Sequence, residues 1–142
     1  MSTNSRIGIE QEDGTVKSIY CHWDGHPSYN GFILNGFYQD RKKVESLIDL
    51  GNISVLGKKS EPNPTLGHSF DKPQPEVTIA YGRDKGEDGV DARIDESVEK
   101  YLKSDVEEYG YLFTKEGDWV WFDPDDTNRT LRSCATDTEE WR

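Results

Sequence analysis

The stretch from Ser18 to Pro27 reads SIYCHWDGHP, in which apolar and polar residues alternate until a glycine and a proline interrupt the pattern. Alternation with period two predicts a β-strand whose successive side chains point to opposite faces. One face carries Ile19, Cys21 and Trp23, and the other carries Tyr20, His22 and Asp24. Gly25 and Pro27 end the strand, since glycine admits unusual backbone angles and proline cannot donate to a ladder. We expect the first face to be core and the second to be available for function.

The segments on either side extend this strand into a fold. Residues 6–11 (RIGIEQ) alternate in the same way, and the intervening Asp-Gly turn predicts a β-hairpin. A helix is predicted over residues 29–38. A second helix is predicted after Asp40, a good N-cap, and before Gly51, which occupies the usual C-terminal glycine position.

The later part of the chain predicts further elements. These are an exposed proline-rich loop at 58–75, a strand at 76–83, a helix from Asp95 to about Asp105, and a second hairpin over 109–123. The order predicts an α+β fold, with a mostly antiparallel sheet of about five strands and two or three helices packed on one face. We expect one domain at residues 1–123 and an acidic, partly ordered tail at 124–142.

The charge of −11 is unevenly distributed along the 142 residues. Up to Arg83 there are ten acidic against nine basic residues, whereas from Asp84 onward there are eighteen against eight. Direct binding to nucleic acid is disfavoured, because neutralising phosphates requires clustered Lys and Arg. No run approaches the length of a membrane span, and two distant cysteines do not imply a disulfide framework. We therefore expect a cytoplasmic protein with a basic partner.

Two groups of residues invite a catalytic reading. His22, Asp24 and His26 could form a metal or acid-base site, but the spacing has no support elsewhere and fits ordinary residues at a strand end equally well. Cys21 could be a nucleophile, yet His22 points to the opposite face and cannot act as its base. We predict no catalytic residue, no metal and no cofactor, and hence no enzyme.

The acidic second half contains the candidate partner-binding residues. Acidic side chains along residues 87–108 could imitate a phosphate backbone, although a solvated helix face explains them as well. Trp119 and Trp121 share one strand face and, if exposed, would suit a protein interface. The predicted partner-binding residues are Glu96, Glu99, Glu107, Glu108, Trp119 and Trp121.

Four strings in the chain are fairly specific as a set: SIYCHWDGHP, LIDLGNISVLGK, VTIAYGRDKGE and EEYGYLFTKEGDWVWF. In these strings the chain resembles a family of small uncharacterised proteins encoded by bacteriophages, over most of its length before the tail. The resemblance implies a viral accessory protein in the cytoplasm of a host cell. It supplies no activity and no catalytic residue.

Together these features predict a non-enzymatic protein that binds a host protein through its acidic surface and inhibits or modulates it. The target would be basic or nucleic-acid-binding, and the acidic surface would mimic nucleic acid. One alternative is a binding protein for a nucleotide signal, with stacking aromatics and an arginine for phosphate. That pocket would comprise Tyr20, His22, Trp23, Asp24, His26 and Arg83. Another alternative is an oligomeric virion component, and the only support for it is the aromatic pair Trp119 and Trp121. The oligomeric state is not predicted.

Overall fold

The computed structural model of the chain describes residues 2–137. Its strands are β1 Ser5–Glu10, β2 Val16–Cys21, β3 Ile53–Val55, β4 Ile79–Ala80, β5 Arg93–Asp95, β6 Tyr109–Phe113, β7 Trp119–Phe122 and β8 Arg132–Ser133. Its helices are a π-helical turn at Pro27–Gly31, α1 Phe32–Phe37, α2 Arg41–Asp49, α3 Tyr81–Lys85, α4 Val98–Lys103 and α5 Cys134–Asp137. The class is α+β, as predicted.

The strands form one mixed sheet in the order β4-β3-β2-β1-β6-β7-β8, and β5 pairs with the first half of β2. Within residues 2–137, five pairings are antiparallel, and two are parallel, β1 with β6 and β2 with β3. The prediction of about five strands understates the eight that the described residues form. Strands of two or three residues are too short to show an alternating pattern.

Both predicted hairpins are confirmed. Ile7 lies opposite Ile19 in the first hairpin, and Tyr111 lies opposite Trp121 in the second. Both turns contain a glycine with a φ of 88°, a conformation that L side chains rarely adopt. The ladder of the first hairpin ends at Cys21, earlier than predicted, although His22 N and Trp23 N still donate to Ile53 O at 3.1 Å and Ser54 O at 3.0 Å in β3.

The main core lies between one sheet face and the helices α1 and α2. Helix α2 begins after Asp40, whose side chain accepts a hydrogen bond from Lys42 N at 3.0 Å, and Gly51 follows it with a φ of 76°. This helix is confirmed with both predicted ends. The helix predicted over 29–38 is divided, because a π-helical turn precedes α1.

The opposite sheet face is covered by α4, so the prediction of helices on one face only is wrong. The buried Tyr101 hydroxyl donates to Tyr111 O at 2.7 Å. A Cβ at Gly8 would come within 3.0 Å of the Tyr101 ring, so the glycine in β1 makes room for it. The helix begins at Val98 rather than Asp95, since Ser97 provides the cap by accepting from Lys100 N at 3.1 Å.

Two further predictions change in the structure. The strand predicted over 76–83 is regular only at Ile79–Ala80, and Tyr81 already begins a helix because the Asp84 carboxylate accepts from Ala80 N at 2.8 Å. In the tail predicted from residue 124, β8 pairs with β7 and Cys134 is buried in the main core. The part of the tail from 138 to 142, with Trp141, lies outside the described residues.

No helix in the described part of the chain has the length and apolar character needed to cross a membrane.

Candidate functional site

One end of the sheet gathers loops from distant parts of the sequence. Ser5 at the start of β1 lies opposite Cys21 at the end of β2 and beside Tyr109 at the start of β6, and Gly110 lies opposite Phe122 at the end of β7. We call the surface that these loops form the sheet-end surface. Its residues are Asn4, Tyr20, His22, Trp23, Asp24, His26, Tyr29, Glu107, Glu108, Tyr109, Asp123 and Asp125.

A small hydrogen-bond network orders the first part of this surface. The Tyr20 hydroxyl and His22 Nδ1 are 2.7 Å apart, and Asn4 Nδ2 donates to His22 O at 2.6 Å. The ring of Trp23 packs edge-on against His22 with the centroids 4.8 Å apart. The structure therefore brings together Tyr20, His22 and Trp23, three residues of the alternative pocket. The expectation that Trp23 belongs to the core face is wrong, since its side chain is 42% exposed.

The turn after Trp23 is tightly built. Asp24 has a φ of 57°, and a Cβ at Gly25 would come within 2.8 Å of Ser5 Cβ. His26 Nδ1 accepts a hydrogen bond from Ser28 N at 3.1 Å, lies 2.7 Å from Ser28 Oγ, and so caps the π-helical turn. Because His22 and His26 direct their Nδ1 atoms to different partners, they do not act as a pair. Residues 2–137 contain no group of three His, Cys, Asp or Glu side chains suited to a metal ion.

Four carboxylates, Glu107, Glu108, Asp123 and Asp125, give this surface a negative field. Burial and the negative charges of Asp123, Glu108 and Asp125 raise the pKa of Tyr109. Burial, Tyr81 and the charges of Glu107 and Glu108 raise the pKa of Tyr20. Within the described chain, none of the four forms a salt bridge with a lysine or arginine.

Arg6 is the basic residue of β1 whose charge interacts with Glu107. Its guanidinium nevertheless donates to Ser18 O at 3.2 Å and to Ser18 Oγ at 3.1 Å. Glu108 Oε1 accepts from Asn4 N at 3.3 Å, a long contact with a neutral group. The negative charge of the sheet-end surface is thus largely uncompensated.

The other two predicted glutamates have a different environment. Glu96 and Glu99 are exposed at helix α4, where their carboxylates lie 2.5 Å from Lys100 Nζ and 2.9 Å from Lys103 Nζ. These hydrogen-bonded lysines lower the pKa of both glutamates. The structure therefore separates the four predicted glutamates into a compensated pair and an uncompensated pair.

Trp119 and Trp121 do not form an exposed pair, which was the condition for their predicted role at an interface. Trp119 is 3% exposed, and its Nε1 donates to Tyr38 O at 2.8 Å inside the main core. Trp121 is half-buried between the Tyr109 ring, at 5.9 Å, and the Arg132 guanidinium, at 5.5 Å. The shared strand face is real, but helices cover its Trp119 end. Trp119 cannot contact a partner, and the main support for a virion component is lost.

Arg83 does not join the aromatic cluster, which is a correction to the predicted nucleotide pocket. Its guanidinium donates to Asp84 Oδ1 at 2.8 Å, to Ser60 O at 2.5 Å and to Thr78 O at 2.7 Å. Asp84 also lies 3.1 Å from His68 Nε2, with both side chains buried. This cluster fastens the proline-rich loop to α3. Sequence reasoning missed it because its members are far apart in an irregular segment.

Cavities adjoin the sheet-end surface on both sides of Tyr29. One has a volume of about 310 Å³ and is lined by Thr3, Asp24, His26, Ser28 and Tyr29. The other has a volume of about 320 Å³ and is lined by Ser28, Tyr29, Phe32, Ile33, Leu56, Gly57, Lys58 and Glu76. Burial and the charge of Asp24 raise the pKa of Tyr29. Sequence reasoning missed Tyr29 because it assigned that residue to a buried helix.

A larger cavity of about 490 Å³ lies between the first hairpin and α2. Lys17 Nζ lies 3.3 Å from Asp49, and Arg41 donates to Glu10 O at 3.1 Å and to Thr114 O at 3.2 Å, while Glu12 and Glu45 also line the cavity. No aromatic ring of the described residues lines it. We place the candidate site at the sheet-end surface, where uncompensated carboxylates lie beside exposed aromatic rings.

Cys21, at the end of β2, is buried beneath the sheet-end surface. Burial raises the pKa of the Cys21 thiol to about 11, which keeps it protonated at neutral pH and unreactive as a nucleophile. Exposed aromatic rings beside uncompensated carboxylates favour binding of a cationic group. Comparison of the chain with protein-family models, curated proteins and solved structures finds no match.

Proposed function

We propose that this protein is a non-enzymatic binding protein that engages a basic partner protein through the sheet-end surface. The observation that carries the proposal is the coincidence of uncompensated carboxylates and exposed aromatic rings on one surface. Trp23 is 42% exposed and Tyr29 is 41% exposed, while Glu107 and Glu108 lie at the same end of the sheet. Aromatic residues are enriched at the centres of protein interfaces, and charges at the rim determine which partners approach.

In this proposal, the charges mainly affect how fast the partner associates and which partners are selected. The net charge of −11 and the local carboxylates attract a positively charged surface and repel an acidic one. Because exposed charges are screened by salt, we expect the association to weaken as ionic strength rises.

The resemblance to bacteriophage proteins adds a setting to this proposal. The partner would be a bacterial host protein, and the simplest mechanism is stoichiometric occlusion of its basic surface. Where that surface normally binds nucleic acid, the acidic sheet end would compete with the phosphate backbone. Inhibition would then require no chemistry on the partner.

The experiment begins with capture of partners from bacterial lysate at low and high salt, followed by purification of the retained basic protein. Its affinity is then measured for two double variants, E107Q/E108Q and E96Q/E99Q. Both remove two negative charges, but only the first removes charges without a lysine partner. We expect E107Q/E108Q to weaken binding roughly tenfold, or about 1.4 kcal/mol, and E96Q/E99Q to leave it nearly unchanged.

Equal losses in the two variants would show that only the total charge matters, and would contradict a specific surface. An affinity that does not change with salt in either variant would exclude electrostatic association altogether.

A further inference from the structure

Tyr29 lines two cavities of similar size. Ser28 lines both as well, so the cavities are neighbours. We name the one of about 310 Å³ the polar cavity, after its Asp24 carboxylate, and the one of about 320 Å³ the apolar cavity, after its Phe32, Ile33 and Leu56 side chains. Both walls expose mainly apolar atoms, and they differ because only the first contains a carboxylate without a partner among the described residues.

The polar cavity is suited to a cation. The Asp24 side chain is exposed and has no hydrogen bond or salt bridge among the described residues. Asp24 and Tyr29 both line this cavity, and burial together with the charge of Asp24 raises the pKa of Tyr29. A carboxylate attracts an ammonium or guanidinium group, and an aromatic ring face adds a cation–π contact.

The apolar cavity is suited to an uncharged side chain. Phe32, Ile33 and Leu56 form its wall. Its charged lining residues, Lys58 and Glu76, are 3.6 Å apart and neutralise each other at the rim. An apolar side chain entering here would leave no new charge without a partner, because the ion pair already exists.

The wall between the cavities is held in place before any ligand arrives. His26 caps the π-helical turn that carries Tyr29, through hydrogen bonds with Ser28. Asn30, which follows, is buried and donates to Trp23 O at 3.4 Å. A site that is ordered in advance loses less conformational entropy on binding.

We propose that the two cavities form one peptide site on this protein. A lysine or arginine side chain of the basic partner enters the polar cavity, and a nearby apolar side chain of the same segment enters the apolar cavity. The inference rests on the proposed function and specifies the part of the partner that is recognised. The occupant is a peptide segment rather than a free small cation, since the apolar cavity adjoins the cationic position.

The test is an NMR titration of the ¹⁵N-labelled full chain with two probes, N-acetyl-arginyl-alanyl-leucine amide and N-acetyl-leucyl-alanyl-arginine amide. We expect one order to bind better and to shift the backbone amides of residues 3, 24–26, 28–33 and 56–58. D24N should weaken that probe about fivefold, because the carboxylate charge is lost while asparagine tolerates the φ of 57°. D88N, in an exposed loop, is the matched control and should bind like the unchanged chain.

Three results would overturn the inference: shifts that map elsewhere, equal binding by D24N and D88N, or equal binding of a probe in which leucine is replaced by glycine. Spermidine binding as tightly as the better peptide would also overturn it, in favour of a small cation. The titration does not involve the partner protein. Failure of the peptides while the partner still depends on Glu107 and Glu108 would therefore reject this site and leave the proposed function intact.

Discussion

Helix α4 and the sheet-end surface are both acidic, but only α4 neutralises its own charge. Glu96 and Glu99 each form a salt bridge with a lysine one helical turn away, whereas Glu107 and Glu108 form no salt bridge with a lysine or arginine within residues 2–137. The helix is also anchored by the buried Tyr101, while the sheet end exposes its aromatic rings. Negative charge at α4 is thus balanced within the helix, and the unbalanced negative charge at the sheet end is the part that we propose a partner contacts.

The largest expected effect on the free energy of unfolding tests whether α4 contributes more to stability than the sheet-end surface does. Y101A removes a fully buried ring and its hydrogen bond to Tyr111 O, and should lower the free energy of unfolding by about 3–5 kcal/mol. Y29A, at the sheet end, should cost about 1 kcal/mol or less, because the ring is 41% exposed. Urea denaturation of both variants measures the difference. Similar losses would remove the distinction between the two regions.

The next largest effect concerns the acid sensitivity of the stability. It extends the comparison to Asp84, a carboxylate that is buried and whose charge is balanced by Arg83. Although burial alone would raise the pKa of Asp84, hydrogen bonds from Arg83 and Ala80 N lower it overall. A carboxyl group whose pKa is depressed by folding stabilises the protein above its unfolded pKa of about 3.9, and this contribution is lost as pH falls through the lower folded pKa. Denaturation from pH 7 to pH 2 should show this loss.

D84N should reduce the free energy of unfolding at pH 7 by about 2–3 kcal/mol and flatten its acid dependence. The Asp84 side chain is only 2% exposed, so solvent screening weakens this effect little. An unchanged acid profile in D84N would assign acid sensitivity to other carboxylates and contradict the role of this cluster.

The smallest expected effect is a pair of shifts in melting temperature, which should have opposite signs in the two acidic regions. E96Q/E99Q breaks two ion pairs and should slightly lower the melting temperature at low salt. E107Q/E108Q removes charges that repel Asp123 and Asp125, and should slightly raise it. Differential scanning fluorimetry at low and at high salt measures both shifts, which should shrink together as screening increases. Shifts of the same sign would show that the two acidic regions are equivalent.

The predictable parts of the fold are those with a long local pattern. The two hairpins follow from alternating residues around Asp-Gly and Gly-Asp turns, and α2 follows from its apolar stripe between Asp40 and Gly51. The short strands β3, β5 and β8 were not predicted, and β4 is much shorter than the strand predicted over 76–83, because such short strands depend on neighbours from elsewhere in the sheet. For the same reason, the sequence predicted helix α4 but not its position on the second face of the sheet. There Gly8 has no side chain and so leaves room for the Tyr101 ring.

The candidate site was predictable only in part. The local sequence places Tyr20, His22, Trp23, Asp24 and His26 together, since they are neighbours around one strand end. It could not show that Glu107 and Glu108 would lie at the same end, because that depends on the parallel pairing of β1 with β6. It also could not separate Trp119 from Trp121, whose burial is set by Tyr38 and helices distant in sequence.

The parallel pairing of β1 with β6 has a consequence for how the chain folds. Ser5 pairs with Tyr109, so the central strand remains without its second neighbour until most of the polypeptide has been synthesised. Contacts of such high sequence separation slow folding, and an unpaired strand edge carrying Ile7 and Ile9 can associate with other chains in the meantime. A nascent chain that has not yet reached residue 109 should therefore require chaperones, even though its first hairpin is complete.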